Sequence, residues 1–167
     1  HDLGIIDVLT GLNNRNSYEI AISNFASLRY NRLHCIYIDA NGLHELNDQQ
    51  GHKVGDEMLR FLANCICSVF CHEHTYRIGG DEFVSFAIDA DVDDITARLV
   101  SLRRQVENNG YYISIGAAYQ QYPEHSLERL LAQAEAAMYQ DKRRFYKTHD
   151  RRNRQRNVFN NGGNISL

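Results

Sequence analysis

The chain has 167 residues, 43% of them hydrophobic, and a formal net charge of −3. That length and composition suit one globular domain with its own core, and the net charge gives no overall basic field of the kind that attracts nucleic acid. No apolar run approaches the ~20 residues that span a bilayer, and no signal-peptide pattern opens the chain.

The reading is therefore a cytoplasmic domain that makes no membrane contact of its own. Because the sequence starts at His1, an upstream sensor or membrane part is expected in the whole protein, which leaves open a cytoplasmic protein or the cytosolic part of a membrane-anchored sensor. The four cysteines, Cys35, Cys65, Cys67 and Cys71, form no disulfide framework and read as reduced thiols. The run Cys71-His72-Glu73-His74 lacks the paired spacing of a structural zinc site and reads as a polar loop.

In chain order, Asn16 to Ala26 has helical character with Ile20, Ile22 and Phe25 as apolar positions, and Leu33 to Ile38 is β-rich. Asn41 to Gly51 is polar and turn-like. From His52 to Phe70, apolar residues recur at steps of three and four (Val54, Met58, Phe61, Cys65, Val69), which predicts an amphipathic helix. Two short strands follow, Thr75 to Ile78 and Glu82 to Ile88. Gly79-Gly80-Asp81 between them signals a tight hairpin whose primed turn would need positive φ.

Asp93 to Asn109 reads as a helix with an aspartate near its start and Gly110 past its end. Tyr111 to Tyr119 is a strand. The last helix runs from Leu127 to about Tyr146, with Ser126 as N-cap and Glu128 and Glu135 on its outer side. From Lys142 to Arg156 the chain is strongly basic, and it then ends in an Asn/Gly stretch. This is expected to be a solvated helix end and a flexible tail over 148–167, beyond a domain spanning 1–147.

Without the first and last helices, the order is strand, helix, strand, strand, helix, strand. This α+β pattern is the βαββαβ core of a ferredoxin-like domain. In that plan the first and third strands are antiparallel central neighbours. Asp39, at the end of one, then lies beside Asp81 and Glu82, at the start of the other. Three carboxylates at one sheet edge are costly unless protonated or sharing a cation, and their oxygens suit magnesium together with substrate phosphates. Taken alone, they could equally be surface acids near a turn. Gly79 and Gly80 favour the site, because they keep side-chain bulk away from a triphosphate.

Arg77-Ile78-Gly79-Gly80-Asp81-Glu82-Phe83 resembles the signature of the GGDEF family of diguanylate cyclases. So do Asp7 through Arg15, Asp39 through Asp48, Gly51-His52, Gly55-Asp56 and Ala134 to Lys142, all in order. The resemblance implies a palm-type (nucleotidyl cyclase-like) fold and condensation of two GTP into cyclic di-GMP across a homodimer, with Mg2+ or Mn2+ as cofactor; the charge reading adds no nucleic-acid partner. The resemblance also implies Asp39, Asp81 and Glu82 as metal ligands, joined by the main chain of Ala40, with Asp81, Glu82 and Lys142 as the catalytic residues.

Asn47 and Asp56 would contact guanine. A carboxylate can accept both N1–H and the 2-amino group, which adenine lacks. Asn41-Gly42-Leu43-His44 would meet the phosphates through backbone N–H groups, together with Gly79, Gly80 and Lys142. Lys142 also falls on the apolar stripe Leu127, Leu131, Ala134, Met138, where a lysine either snorkels or points at an anion. Asp7 and Arg15 are expected to pair.

The chain departs from the family pattern at several positions. Asn41 stands where the family has aspartate, Leu43 where it has phenylalanine, His44 where it has lysine and Tyr146 where it has arginine. The last two remove positive charge from the phosphate side, which Arg143 or Arg144 could restore. Phe70 and Glu73 replace the arginine and aspartate of the family's inhibitory product site, so no feedback through that site is expected. The alternatives to an active cyclase are a weak or inactive GTP-binding regulatory module, a cyclase with another nucleotide choice, and an interaction domain carrying relic motifs.

Overall fold

The computed structural model describes residues 4–161; the end of the expected tail, 162–167, lies outside the described residues. Four strands, β1 (Arg32–Asn41), β2 (Thr75–Arg77), β3 (Glu82–Ile88) and β4 (Tyr112–Gln121), form one antiparallel sheet in the order β2-β3-β1-β4. The helices are α1 (Arg15–Asn24), α2 (Leu43–Gln50), α3 (His52–Val69), α4 (Val92–Asn108) and α5 (Leu127–Asn161). This is the ferredoxin-like order that the sequence of elements predicts, in the palm-type form that the family resemblance implies.

Both faces of the sheet are covered, which is why β1 is buried almost throughout and shows little alternation in its sequence. Strand alternation sends Ile36, Ile38 and Ala40 into one core, with Met58, Leu62 and Ile66 of α3 and Leu102 and Val106 of α4. It sends Leu33, Cys35 and Tyr37 to the other core, with Tyr18 of α1 and Leu130, Ala134 and Met138 of α5. Each fully buried Leu or Met contributes about 1.5–3 kcal/mol.

Several local expectations are corrected. Residues 43–50 are not a turn but the helix α2. Gly42 at φ 76° starts it and Gly51 at φ 89° ends it. None of its residues is fully buried, and only Leu43 and Leu46 pack against the core, a stripe too short for the sequence to reveal. In α1 the buried residue is Tyr18, while Ile20 is exposed and Phe25 sits in the short turn that follows. The buried face of α3 is centred on Met58, Leu62 and Ile66, with Val54, Phe61 and Val69 at its margins.

The α4 N-cap is Asp91, which makes no side-chain cap. Neither Gly79 nor Gly80 has positive φ, so the β2–β3 connection is not a primed turn. It is a wider loop closed by the Ile78 N–H donating to the Glu82 carbonyl at 2.9 Å. The last helix does not stop near Tyr146 but continues through Asn161, because residues 147–161 contain neither Gly nor Pro.

Candidate active site

Asp39 lies directly opposite Glu82 in the β1–β3 register. Its odd position on β1 turns it to the same face as Cys35 and Tyr37, the face covered by α5. The Ala40 N–H donates to the Asp81 carbonyl at 2.8 Å, fixing the loop aspartate beside the strand pair. Carboxylate oxygens of Asp39, Asp81 and Glu82 all lie within 4.8 Å of one another, the one such cluster of potential metal ligands among the described residues.

From α5, Lys142 Nζ donates to Asp39 Oδ2 at 3.2 Å. The apolar stripe Ala134–Met138 therefore does deliver its next member to the sheet edge, and the contact it makes there is to a carboxylate. Asp39 is 2% exposed. Burial and the neighbouring Asp81 charge push its carboxyl up to about 6 despite the Lys142 cation. Burial, Asp81 and Glu135 likewise raise Glu82. Lys142 is raised: burial opposes its charge, but Asp39 and Asp81 more than offset that. Asp39 Oδ1 is buried with no hydrogen-bond partner. A divalent cation would meet that orphaned oxygen and neutralise the crowded acids, so the donor set fits Mg2+ or Mn2+.

The nucleotide side is partly assembled. Gly42 opens α2 in the left-handed region and no side chain caps this helix start, where the first backbone N–H groups have no partner within the helix. His44 itself is exposed and sits 3.3 Å from Asp48, one turn along its own helix. Asn41 is buried and accepts a hydrogen bond from the Ser114 hydroxyl at 2.8 Å, leaving its amide nitrogen without a partner.

Asn47 and Asp56 are brought near each other because α2 packs against the start of α3. The Asn47 side chain lies directly on Gly55, in space that a Cβ would fill, and its Oδ1 is buried and unpartnered. Asp56, the next residue, is half-buried. Gly79 and Gly80 are exposed, and a Cβ on Gly80 would meet nothing within 4 Å, so this side of the cluster is open.

The Asp7–Arg15 pairing is not formed. Asp7 instead binds Arg77, whose Nη1 lies 3.2 Å from both carboxylate oxygens, and it accepts from the backbone and hydroxyl of Thr10. Arg15 donates to the Ile78 carbonyl and pairs with Glu19. Arg77 Nη2 also donates to the Gly80 carbonyl at 2.8 Å. It thus braces the loop one residue before Asp81, a role that the sequence alone does not reveal.

Glu135 was expected on the outer side of α5. It is half-buried, and its charge is felt at Tyr37 and Glu82. The signal for it is its place seven residues before Lys142, on the same helix face. Phe70 is buried in the α3 core with the Arg98 guanidinium 6.0 Å from its ring centre, so it is a packing residue.

The family model for the diguanylate cyclase GGDEF domain matches residues 4–147. The chain belongs to the GGDEF family of diguanylate cyclases. The chain is 34% identical over 162 residues to the diguanylate cyclase DosC of Escherichia coli K12, an alignment covering 86% of this chain and 34% of that one. The chain thus spans about a third of the length of this relative. It is also 34% identical to the cyclic di-GMP phosphodiesterase PdeB of Shewanella oneidensis, over 78% of this chain and 16% of that one. Among solved structures, the isolated GGDEF domain of TpbB (YfiN) from Pseudomonas aeruginosa superposes with a TM-score of 0.68 at 30% identity, covering 83% of this chain and 89% of that one.

Proposed function

We propose that this GGDEF domain is catalytically competent and condenses two GTP into cyclic di-GMP, releasing two pyrophosphates. The observation that carries the reading is the cluster of Asp39, Asp81 and Glu82 with Lys142 at its rim. Asn47 and Asp56 hold the guanine edge. The N–H groups opening α2, the bare Gly79-Gly80 surface and Lys142 receive the phosphates.

Asp39, Asp81, Glu82 and the Ala40 carbonyl would hold Mg2+ or Mn2+, whose contribution is to stabilise charge developing on the phosphate oxygens. Each 3′-oxygen bonds to the other nucleotide's α-phosphorus as the bond to pyrophosphate breaks, and its proton passes to the carboxylate group. Each domain carries one GTP, so two copies must face each other, and a symmetric homodimer is the productive unit. The domain acts in the cytoplasm, where GTP and reduced thiols are found; its four cysteines are free. No described helix is long and apolar enough to cross a membrane.

The test is product formation from GTP and Mg2+, identified by mass across a protein dilution series, with ATP as control. Cyclic di-GMP appearing more steeply than linearly with protein supports the dimeric cyclase. GTP binding without product at high concentration supports the second reading, a regulatory GTP-binding module. That reading draws on His44, which rests on Asp48, and on Tyr146, which supplies no cation.

A further inference from the structure

Strand β4 is an edge of the sheet. Its inner side pairs with β1 from Tyr112 to Gln121, and among the described residues no strand lies beside its outer side. Two backbone groups on that outer side are met by side chains instead. The Ile113 carbonyl accepts from Arg103 Nη1 at 3.0 Å, and the Ile115 N–H donates to Asp141 Oδ2 at 2.8 Å. Arg103 Nη2 donates to the same Asp141 oxygen at 2.7 Å. Arg103 comes from α4, which packs on one face of the sheet, and Asp141 from α5, which packs on the other. The two side chains meet around the edge and clasp both helices to it.

The clasp lies at the level of the carboxylate cluster. Ser114, between the two clasped residues, is the β4 partner of Asp39. Lys142, which follows Asp141 in the chain, donates to Asp39 Oδ2 at 3.2 Å. Successive residues on a helix point about 100° apart, so one reaches the sheet edge while the next reaches the cluster. A slip of α5 by one residue would move it ~1.5 Å along its axis and turn Lys142 away by that same angle. The other contacts of α5 here set distance rather than direction. Backbone atoms of Ala134, Ala137 and Met138 lie where a Cβ on Gly116 would stand, and Phe145 packs on the Tyr112 ring. Apolar contact is non-directional, whereas hydrogen bonds hold one orientation. Asp141 forms no ion pair within its own helix among the described residues; its partner is Arg103, and both are half-buried.

We propose that Asp141 and Arg103 are positioning residues for Lys142, holding α5 so that its ammonium stands where the GTP phosphates arrive. The proposal rests on the reading of Lys142 as a phosphate-binding group. When that lysine turns from Asp39 to a phosphate, its own hold on the sheet is released, and the clasp keeps α5 in place. A cation held in position binds more tightly than one that must be ordered on binding, because ordering costs conformational entropy. A clasp that only blocked strand addition at the edge, or only supported the fold, would leave nucleotide affinity per folded molecule unchanged.

The experiment is calorimetric binding of the α,β-methylene analogue of GTP, with Mg2+, to the full chain. The methylene replaces the oxygen through which pyrophosphate would leave, so affinity is read without turnover. Lys142→Ala should weaken binding about tenfold or more. Asp141→Ala and Arg103→Met should each weaken it about fivefold. Asp141→Asn, which keeps an acceptor for the Ile115 N–H, should fall between Asp141→Ala and the wild type. In a Lys142→Ala background, Asp141→Ala should weaken binding less than about twofold, because the group it positions is gone. Denaturant unfolding of each variant gives the folded fraction by which affinities are corrected. Clasp variants that unfold at lower denaturant yet bind like the wild type per folded molecule overturn the proposal. So does an equal loss from Asp141→Ala with and without Lys142. A Lys142→Ala protein that binds like the wild type overturns the phosphate reading of Lys142, and the role of the clasp with it.

Discussion

Replacing Asp39 by asparagine should stabilise the metal-free protein while removing its response to divalent metal. Asp39 is 2% exposed, and its carboxyl is raised from 3.8 to about 6 by burial and by Asp81. A carboxyl whose native pKa lies above its unfolded one binds protons more readily when folded. Stability is therefore lost as pH rises through the interval between the two values and stays low above it. About two units of displacement correspond to about 3 kcal/mol at pH 7.5.

The asparagine side chain keeps the shape and drops the charge, but gives up the contact with Lys142. That lysine is 29% exposed and can be hydrated, at a cost of about 1 kcal/mol. The net gain is about 2 kcal/mol, or about 4–8 °C in melting temperature for a domain of this size. The assay is thermal unfolding with EDTA at pH 7.5 and again near pH 4, where the gap should close. Adding Mg2+ at pH 7.5 should raise the melting temperature of the wild type and leave Asp39→Asn unmoved. An Asp39→Asn protein that melts at or below the wild type in EDTA, or that keeps its lead at low pH, would refute the account of a strained carboxylate cluster.

Three further outcomes follow from the packing. Gly116→Ala places a methyl group against the Ala134 carbonyl and the Met138 amide of α5, backbone atoms that cannot yield; chemical denaturation should show a loss of about 3 kcal/mol. Gly55→Ala drives its methyl into the Asn47 side chain, so KM for GTP should rise about tenfold, with a smaller change in kcat, in steady-state kinetics. Arg77→Gln severs both the Asp7 pair and the Gly80 brace; denaturant unfolding should register about 2–3 kcal/mol, and turnover should fall further than that loss of folded protein explains.

What the chain made legible was periodic or motif-bound. The α3 repeat, the β3 boundaries and the order of elements follow from apolar spacing and led to the sheet order β2-β3-β1-β4. Antiparallel topology alone placed Asp39 beside Asp81 and Glu82, and a helical step of four placed Lys142 on the face where it meets Asp39. Helix α2 escaped because a short, mostly polar helix packs only Leu43 and Leu46 on the core, and the phase of α3 was off by one position because its margins are apolar too.

The pairing of Asp7 with Arg77 rather than Arg15 joins residues 70 apart, and no local pattern encodes which of two arginines an acid will meet. Likewise, Glu135 looks like a solvent-facing acid in sequence. Only the close approach of α5 to β4, permitted by the missing side chain of Gly116, turns it toward the carboxylates. Residue types and periods fix which groups share an element. Which groups share a site depends on how elements far apart in the chain pack, because electrostatic and hydrogen-bonding energies depend on distance in space rather than along the chain.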